Sequence, residues 1–210
     1  MSGSVTRQTP EMLIADFAAA FQYCHDLLRK PSRQQHAWLK SPRCRKLWDV
    51  IADSVGCTSP PPALPDDPQE YESRYIATFD AGMPHPPVPL IESHYNRTEP
   101  APRLLHENML FFQRFGLRLR SDFTETPDHL LCQLSFVIHL LALLQNRGHA
   151  NQAEEGGQII HAIGDYTDRH LRSWLPAAVA AAEDVPFQTA QSILVLVSCL
   201  VDHSGSLQVN

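Results

Sequence analysis

The stretch from Pro127 to Asn146 constrains the fold of this chain more than any other. Leu130, Leu134, Val137, Leu141 and Leu144 fall at i, i+4, i+7, i+11 and i+14, the spacing of one helix face. Leu131, Phe136, Leu140 and Leu143 carry the apolar surface around most of the circumference. A helix so broadly apolar has to be wrapped by other elements. The remaining chain must supply that wrapping.

It supplies it as further helices. Ile14, Phe17, Phe21, Cys24 and Leu28 form one stripe and predict a helix over 11–29, with Thr9 as N-cap, Pro10 at the first position and Pro31 beyond its end. A shorter helical region spans Trp38 to Ile51, its basic run Arg43–Lys46 reading as a solvated face. Tyr71, Tyr75 and Phe79, four apart, suit a short helix. Leu104, Leu105, Met109, Phe111, Phe112 and Phe115 give another, ending near Gly116. Ile160, Ile163, Leu171 and Trp174 mark one that Pro176 closes, and Pro186 opens a last one through Val201. Between Ser59 and Pro102 lie 11 of the 17 prolines. Pro60 to Pro68 reads as a loop or exposed linker, and Pro84 to Pro89 as extended chain, because proline fixes φ and restricts its predecessor. No alternating strand pattern and no repeat interrupts this order. The expected architecture is all-α, a single helical domain over 1–210 with a proline-rich connection at about 59–102.

The composition, 43% hydrophobic and 19% charged, is that of a globular protein. A net charge of -6 argues against nucleic acid as a partner. Five scattered cysteines form no disulfide framework and fit a reducing compartment. The segment Met1–Pro10 has a single Arg with no unbroken apolar run after it, and Ile193–Val201 is too short to span a bilayer. A cytoplasmic protein without membrane insertion is expected.

Two segments hold the candidate chemistry. In Glu125-Thr126-Pro127-Asp128-His129-Leu130, Pro127 suits position N1 of the long helix with Thr126 as its N-cap. Asp128 then lies in the first turn, where the helix N-terminus favours a carboxylate. His129 in the same turn is expected to be neutral, donating one hydrogen bond and accepting another. The pair serves either as a polar anchor for the turn or as part of a site. The Pro84–Tyr95 loop is either a rigid connection, with Glu92 or Ser93 capping the next segment, or one wall of a peptide-sized groove in which Glu92 meets a basic side chain. His161, Asp165 and His170 read as a polar helix side rather than metal ligands. No Cys-x-x-Cys, His-Glu-x-x-His, Glu-x-x-His, Walker loop, Gly-x-Gly-x-x-Gly or Gly-x-Ser-x-Gly occurs, so no metal, cofactor or nucleophile is assigned. A small helical hydrolase or nucleotide-binding protein using Asp128 and His129 is the alternative class.

At these segments the chain resembles the TorD/DmsD/NarJ-type chaperones, which help mature molybdenum-cofactor oxidoreductases before twin-arginine export. The resemblance runs from Tyr71 to Trp174. Its residues are Tyr71-Glu72 with Thr78-Phe79, Pro86-Pro87-Val88-Pro89-Leu90 with Glu92-Ser93-His94-Tyr95, and Phe111-Phe112 with Phe115-Gly116-Leu117. Glu125-x-Pro127-Asp128-His129-Leu130, then Leu134-Ser135-Phe136 and Leu140, is the most diagnostic piece, joined further on by His170-Leu171 with Trp174-Leu175-Pro176. Ser135 and Phe79-Asp80 depart from the family pattern, where an acid and leucine-phenylalanine are usual. The resemblance implies a binding protein, not an enzyme, whose partner is the catalytic-subunit precursor of a molybdopterin oxidoreductase, held by its twin-arginine signal peptide. Carried over by position, the peptide-binding residues are Pro89, Leu90, Glu92, Ser93, Tyr95, Glu125, Asp128 and His129. Acids would meet the arginine pair, apolar surface the signal's hydrophobic stretch, and binding would delay export until maturation. The chain has no Arg-Arg pair of its own and would stay behind. Its Pro-Val-Pro-Leu and Phe-Gly-Leu elements are similar to those of chaperones for dimethyl-sulfide dehydrogenase, selenate reductase or chlorate reductase-like enzymes. As in relatives, the chain is expected as a monomer or domain-swapped dimer.

Overall fold

A computed structural model of the chain describes residues 10–119, 124–146, 153–205 and 207. Among these described residues, ten α-helices and one π-helical turn come in order: α1 Pro10–Leu28, α2 Arg33–Leu39, α3 Pro42–Ser54, α4 Pro68–Tyr75, the π-turn Ile76–Asp80, α5 Glu92–Tyr95, α6 Ala101–Arg114, α7 Leu130–Gln145, α8 Ala153–His170, α9 Leu175–Glu183 and α10 Gln188–Ser204. The all-α expectation holds. Among the described residues the β-type pairing is one isolated antiparallel bridge, Ile91 to His129.

α7 takes the central place its composition demands. Leu130, Leu134, Phe136, Val137, Leu140 and Leu141 have no exposed surface. α1 packs along it with Phe17, Phe21, Cys24 and Leu28 buried, α8 lies against it, and α10 packs on α1 and α9. Phe111 and Phe112 from α6, Phe115 at its C-cap and Tyr166 from α8 surround Phe136, with ring centroids 4.5–6.2 Å apart. Tilted and edge-on contacts of this kind suit the aromatic quadrupole. α6 ends as expected: Gly116 has φ +79°, its N–H donates to the Gln113 carbonyl, and the Leu117 N–H donates to that of Phe112. The second bond needs the left-handed conformation that glycine adopts without strain.

Several boundaries differ from expectation. The Trp38–Ile51 region is two helices, because Ser41 caps α3 by accepting the Cys44 N–H while Pro42 takes its first position. The short aromatic helix is α4 continued by the π-turn, with Tyr71, Tyr75 and Phe79 buried. Pro176 opens α9 rather than simply closing the preceding helix, as its place in a first turn allows. Residues 57–67 are non-helical but not a free linker: the Pro65 carbonyl meets the His36 ring and the Ala63 carbonyl accepts from Thr189. Thr9, the expected cap of α1, lies outside the described residues. No described helix is long and apolar enough to cross a membrane.

Candidate functional site

The two motif segments meet. Across the Ile91–His129 bridge, the Glu92 N–H donates to the Asp128 carbonyl at 3.0 Å and the Leu130 N–H to the Leu90 carbonyl at 2.8 Å. This pairing changes the expected local structure. Residues 127 and 128 form a turn, and α7 begins at Leu130 with His129 as its N-cap. The His129 ring Nδ1 accepts the Leu131 N–H at 3.2 Å, so its proton sits on Nε2, which faces the Glu125 carboxylate at 3.5 Å. Thr126 and Pro127 are therefore not the N-cap and first residue of α7. Nor is Asp128 in its first turn. That carboxylate is fully buried and ties the two segments together: Oδ2 accepts the Ser93 N–H from the other segment at 3.1 Å and Oδ1 the Thr126 hydroxyl of its own at 2.5 Å. The imidazole is neutral as expected, but the leading cause is burial, which holds His129 below its ordinary value against the pull of Glu125 and Asp128.

Glu92 lies inside the fold, not on the wall of a groove. It is 0% exposed, and its carboxylate accepts from Gln133 Nε2 at 2.7 Å, Asn108 Nδ2 at 3.2 Å and His170 Nδ1 at 3.1 Å. Tyr166 donates to Asn108 Oδ1 at 2.6 Å and extends the network into α8. A buried carboxylate needs such donors, since desolvation otherwise outweighs its local attractions. His170 thus faces inward, away from Asp165, which pairs with Arg169, and from exposed His161; the three do not share a polar side. Nothing in spacing could pair Glu92 with a histidine 78 residues away.

Of the eight carried-over residues, Pro89, Leu90, Glu92 and Asp128 are buried, while Ser93, Tyr95, Glu125 and His129 are part-exposed. The Tyr95 ring stacks on Trp174 at 5.6 Å. Asp80, an exposed acid at the end of the π-turn, joins Glu125 and His129. Partial burial raises its carboxyl above the ordinary value, Lys30 and His129 offset this, and Glu125 adds to it. The junction surface thus carries negative charge that would welcome a cation. Sequence reading missed Asp80, whose place is set by the π-turn. No group of three or more His, Cys, Asp or Glu among the described residues is arranged to hold a metal ion.

Residues 41–180 match the family model described as "Nitrate reductase delta subunit". The chain is 32% identical over 108 residues to the selenate reductase assembly chaperone protein of Thauera selenatis, covering 51% of this chain and 55% of that one. It is 29% identical over 108 residues to the chlorate reductase assembly chaperone protein of Ideonella dechloratans, with the same coverage. Over 65 residues it is 35% identical to the chaperone protein TorD of Vibrio cholerae, covering 30% of this chain and 27% of that one. The match spans about half the length of the first two relatives. No solved structure matches the chain.

Proposed function

Because the chain belongs to the nitrate reductase delta subunit family, we propose that it is an assembly chaperone for a molybdopterin oxidoreductase and not an enzyme. On this reading it works in the cytoplasm as one helical domain, holds the twin-arginine signal peptide of the catalytic-subunit precursor, and delays export until the cofactor is loaded. Relatives named for selenate and chlorate reductase make enzymes of that type the first clients to try.

The observation that carries the reading is the junction itself. Two segments 35 residues apart are joined by backbone and carboxylate bonds, which leaves Glu125 and Asp80 at the surface about His129, with Lys30 near Asp80. Two neighbouring acids suit a pair of guanidinium groups, which bind carboxylates through forked hydrogen bonds. Pro89, Leu90, Glu92 and Asp128 act beneath them, holding this surface in shape. The hydrolase alternative finds less support: both carboxylate oxygens of Asp128 and both ring nitrogens of His129 face partners within the chain.

Calorimetry with synthetic twin-arginine peptides from selenate- and chlorate-reductase-type precursors tests the proposal. Binding should weaken when both arginines become glutamine, and in Glu125→Gln and Asp80→Asn chains. Absence of binding to every molybdoenzyme precursor peptide would sink it.

A further inference from the structure

We infer that the groove between α1 and α3, bounded also by the end of α10, is a second docking surface, shaped for an apolar helical stretch with basic flanks. The assignment of that stretch to the client precursor rests on the chaperone reading above. The groove holds about 710 Å³, against about 450 Å³ for the cleft beside Trp48 and Pro61. Buried Phe17, Ala20, Tyr23 and Ile51 contribute to its lining. Leu47 and Val50 stand on its α3 side, 38% and 58% exposed, and the other exposed large hydrophobics among the described residues are Met83 and Leu110. Apolar side chains gathered beside a groove, rather than scattered singly, mark a surface that another chain covers.

Charge selects the occupant. Among the described residues the lining includes the carboxylates of Asp16 and Asp26, the His203 ring and no lysine or arginine. Both lie on α1, ten residues apart in sequence, which is about 15 Å along the axis. A guest helix with basic residues roughly three turns apart would meet both acids while its apolar face covers Val50 and Leu47. An acidic guest would be repelled.

The position points the same way. α1 and α10 fall outside residues 41–180, whereas α3 and the Pro84–Tyr95 and Glu125–Leu130 segments fall inside. Segments shared across a family suit what its clients share, such as an arginine pair. The α1 and α10 sides of the groove, which carry Asp16 and Asp26, are free to read what differs between clients.

The test uses a labelled synthetic helix of roughly 18 residues, about five turns, with leucine along one face, lysines three turns apart and no arginine pair. Anisotropy titration of the full chain should show saturable binding. It should weaken about tenfold in Val50→Glu, less in Val50→Ser and Asp16→Lys, and stay unchanged in Glu125→Gln, with thermal unfolding showing each variant folded. No binding overturns the inference, as does equal binding by Val50→Glu or by a peptide with glutamate for lysine. A chain dimer that Val50→Glu dissociates, with no peptide bound, also overturns it, because the occupant is then a second copy. If the lysine helix binds and twin-arginine peptides do not, the groove stands and the signal-peptide reading falls.

Discussion

Glu92 and Asp128, both without exposed surface, accept five hydrogen bonds between them at the loop–helix junction. Asp16 and Asp26 flank an apolar trough instead, and Asp26 accepts from Gln22 on its own helix. The same chemical group therefore fastens the fold in one region and lines an open surface in the other. A carboxylate taken out of water and given donors is costly to remove, because the donors are left stranded. One at a rim keeps its water, so its loss scarcely touches stability. The fastened region is suited to holding a shape and the open one to being covered.

The largest effect should come from Glu92→Ala, which strands Gln133, Asn108 and His170 and should cost about 3–5 kcal/mol, lowering Tm by roughly 10 °C. Glu92→Gln, keeping an acceptor, should cost less. A Glu92→Ala chain melting within about 2 °C of the parent would break the contrast at its strongest point. Asp128→Ala comes next at about 2 kcal/mol in urea unfolding, with Asp128→Asn milder. His129→Ala removes the cap of α7 and should cost about 1 kcal/mol. Val50→Glu in the groove should leave stability within about 0.5 kcal/mol while weakening binding there about tenfold, and a larger stability loss would make the trough part of the scaffold.

The pH dependence sharpens the same comparison. Burial holds His129 and His25 below the ordinary imidazole value. The folded chain keeps these rings neutral where the unfolded chain takes up a proton, so the unfolded state binds more protons. Stability must then fall as pH drops below about 6.5 and stop falling at the depressed folded values. The urea midpoint should decline from about pH 7 to about pH 5, and less steeply in His129→Gln. An equal slope in that variant would assign the effect elsewhere.

The long helices are legible in the sequence because each carries its own pattern: the α1 stripe, the α6 aromatics with Gly116 and the α7 leucines can be read with no partner in view. What escapes such reading depends on distant pairing. Local rules put the cap of α7 at Thr126, yet Asp128 is drawn to Ser93 and the helix starts after it. Pro176 reads as a stop because proline ends a helix from within, while the Ala-rich run after it starts a new one. Glu92 has the look of a surface acid until His170 and Gln133 close on it. The α1–α3 groove exists only once those helices have packed.

The π-turn before the proline loop has a consequence for comparing chains of this family. Its widened ring, closed from the Ala81 N–H to the Ile76 carbonyl, leaves the Thr78 carbonyl to accept the Val88 N–H at 2.9 Å. Such a turn amounts to one inserted residue in an α-helix. Deleting one residue would swing everything after it by about 100°, carrying Asp80 away from Glu125. Alignments that score residue identity alone would overlook this, since a relative with an aspartate in the same column but a turn one residue shorter would present its charge on another side. The length of this turn, more than the letter at position 80, decides whether the two acids stand together.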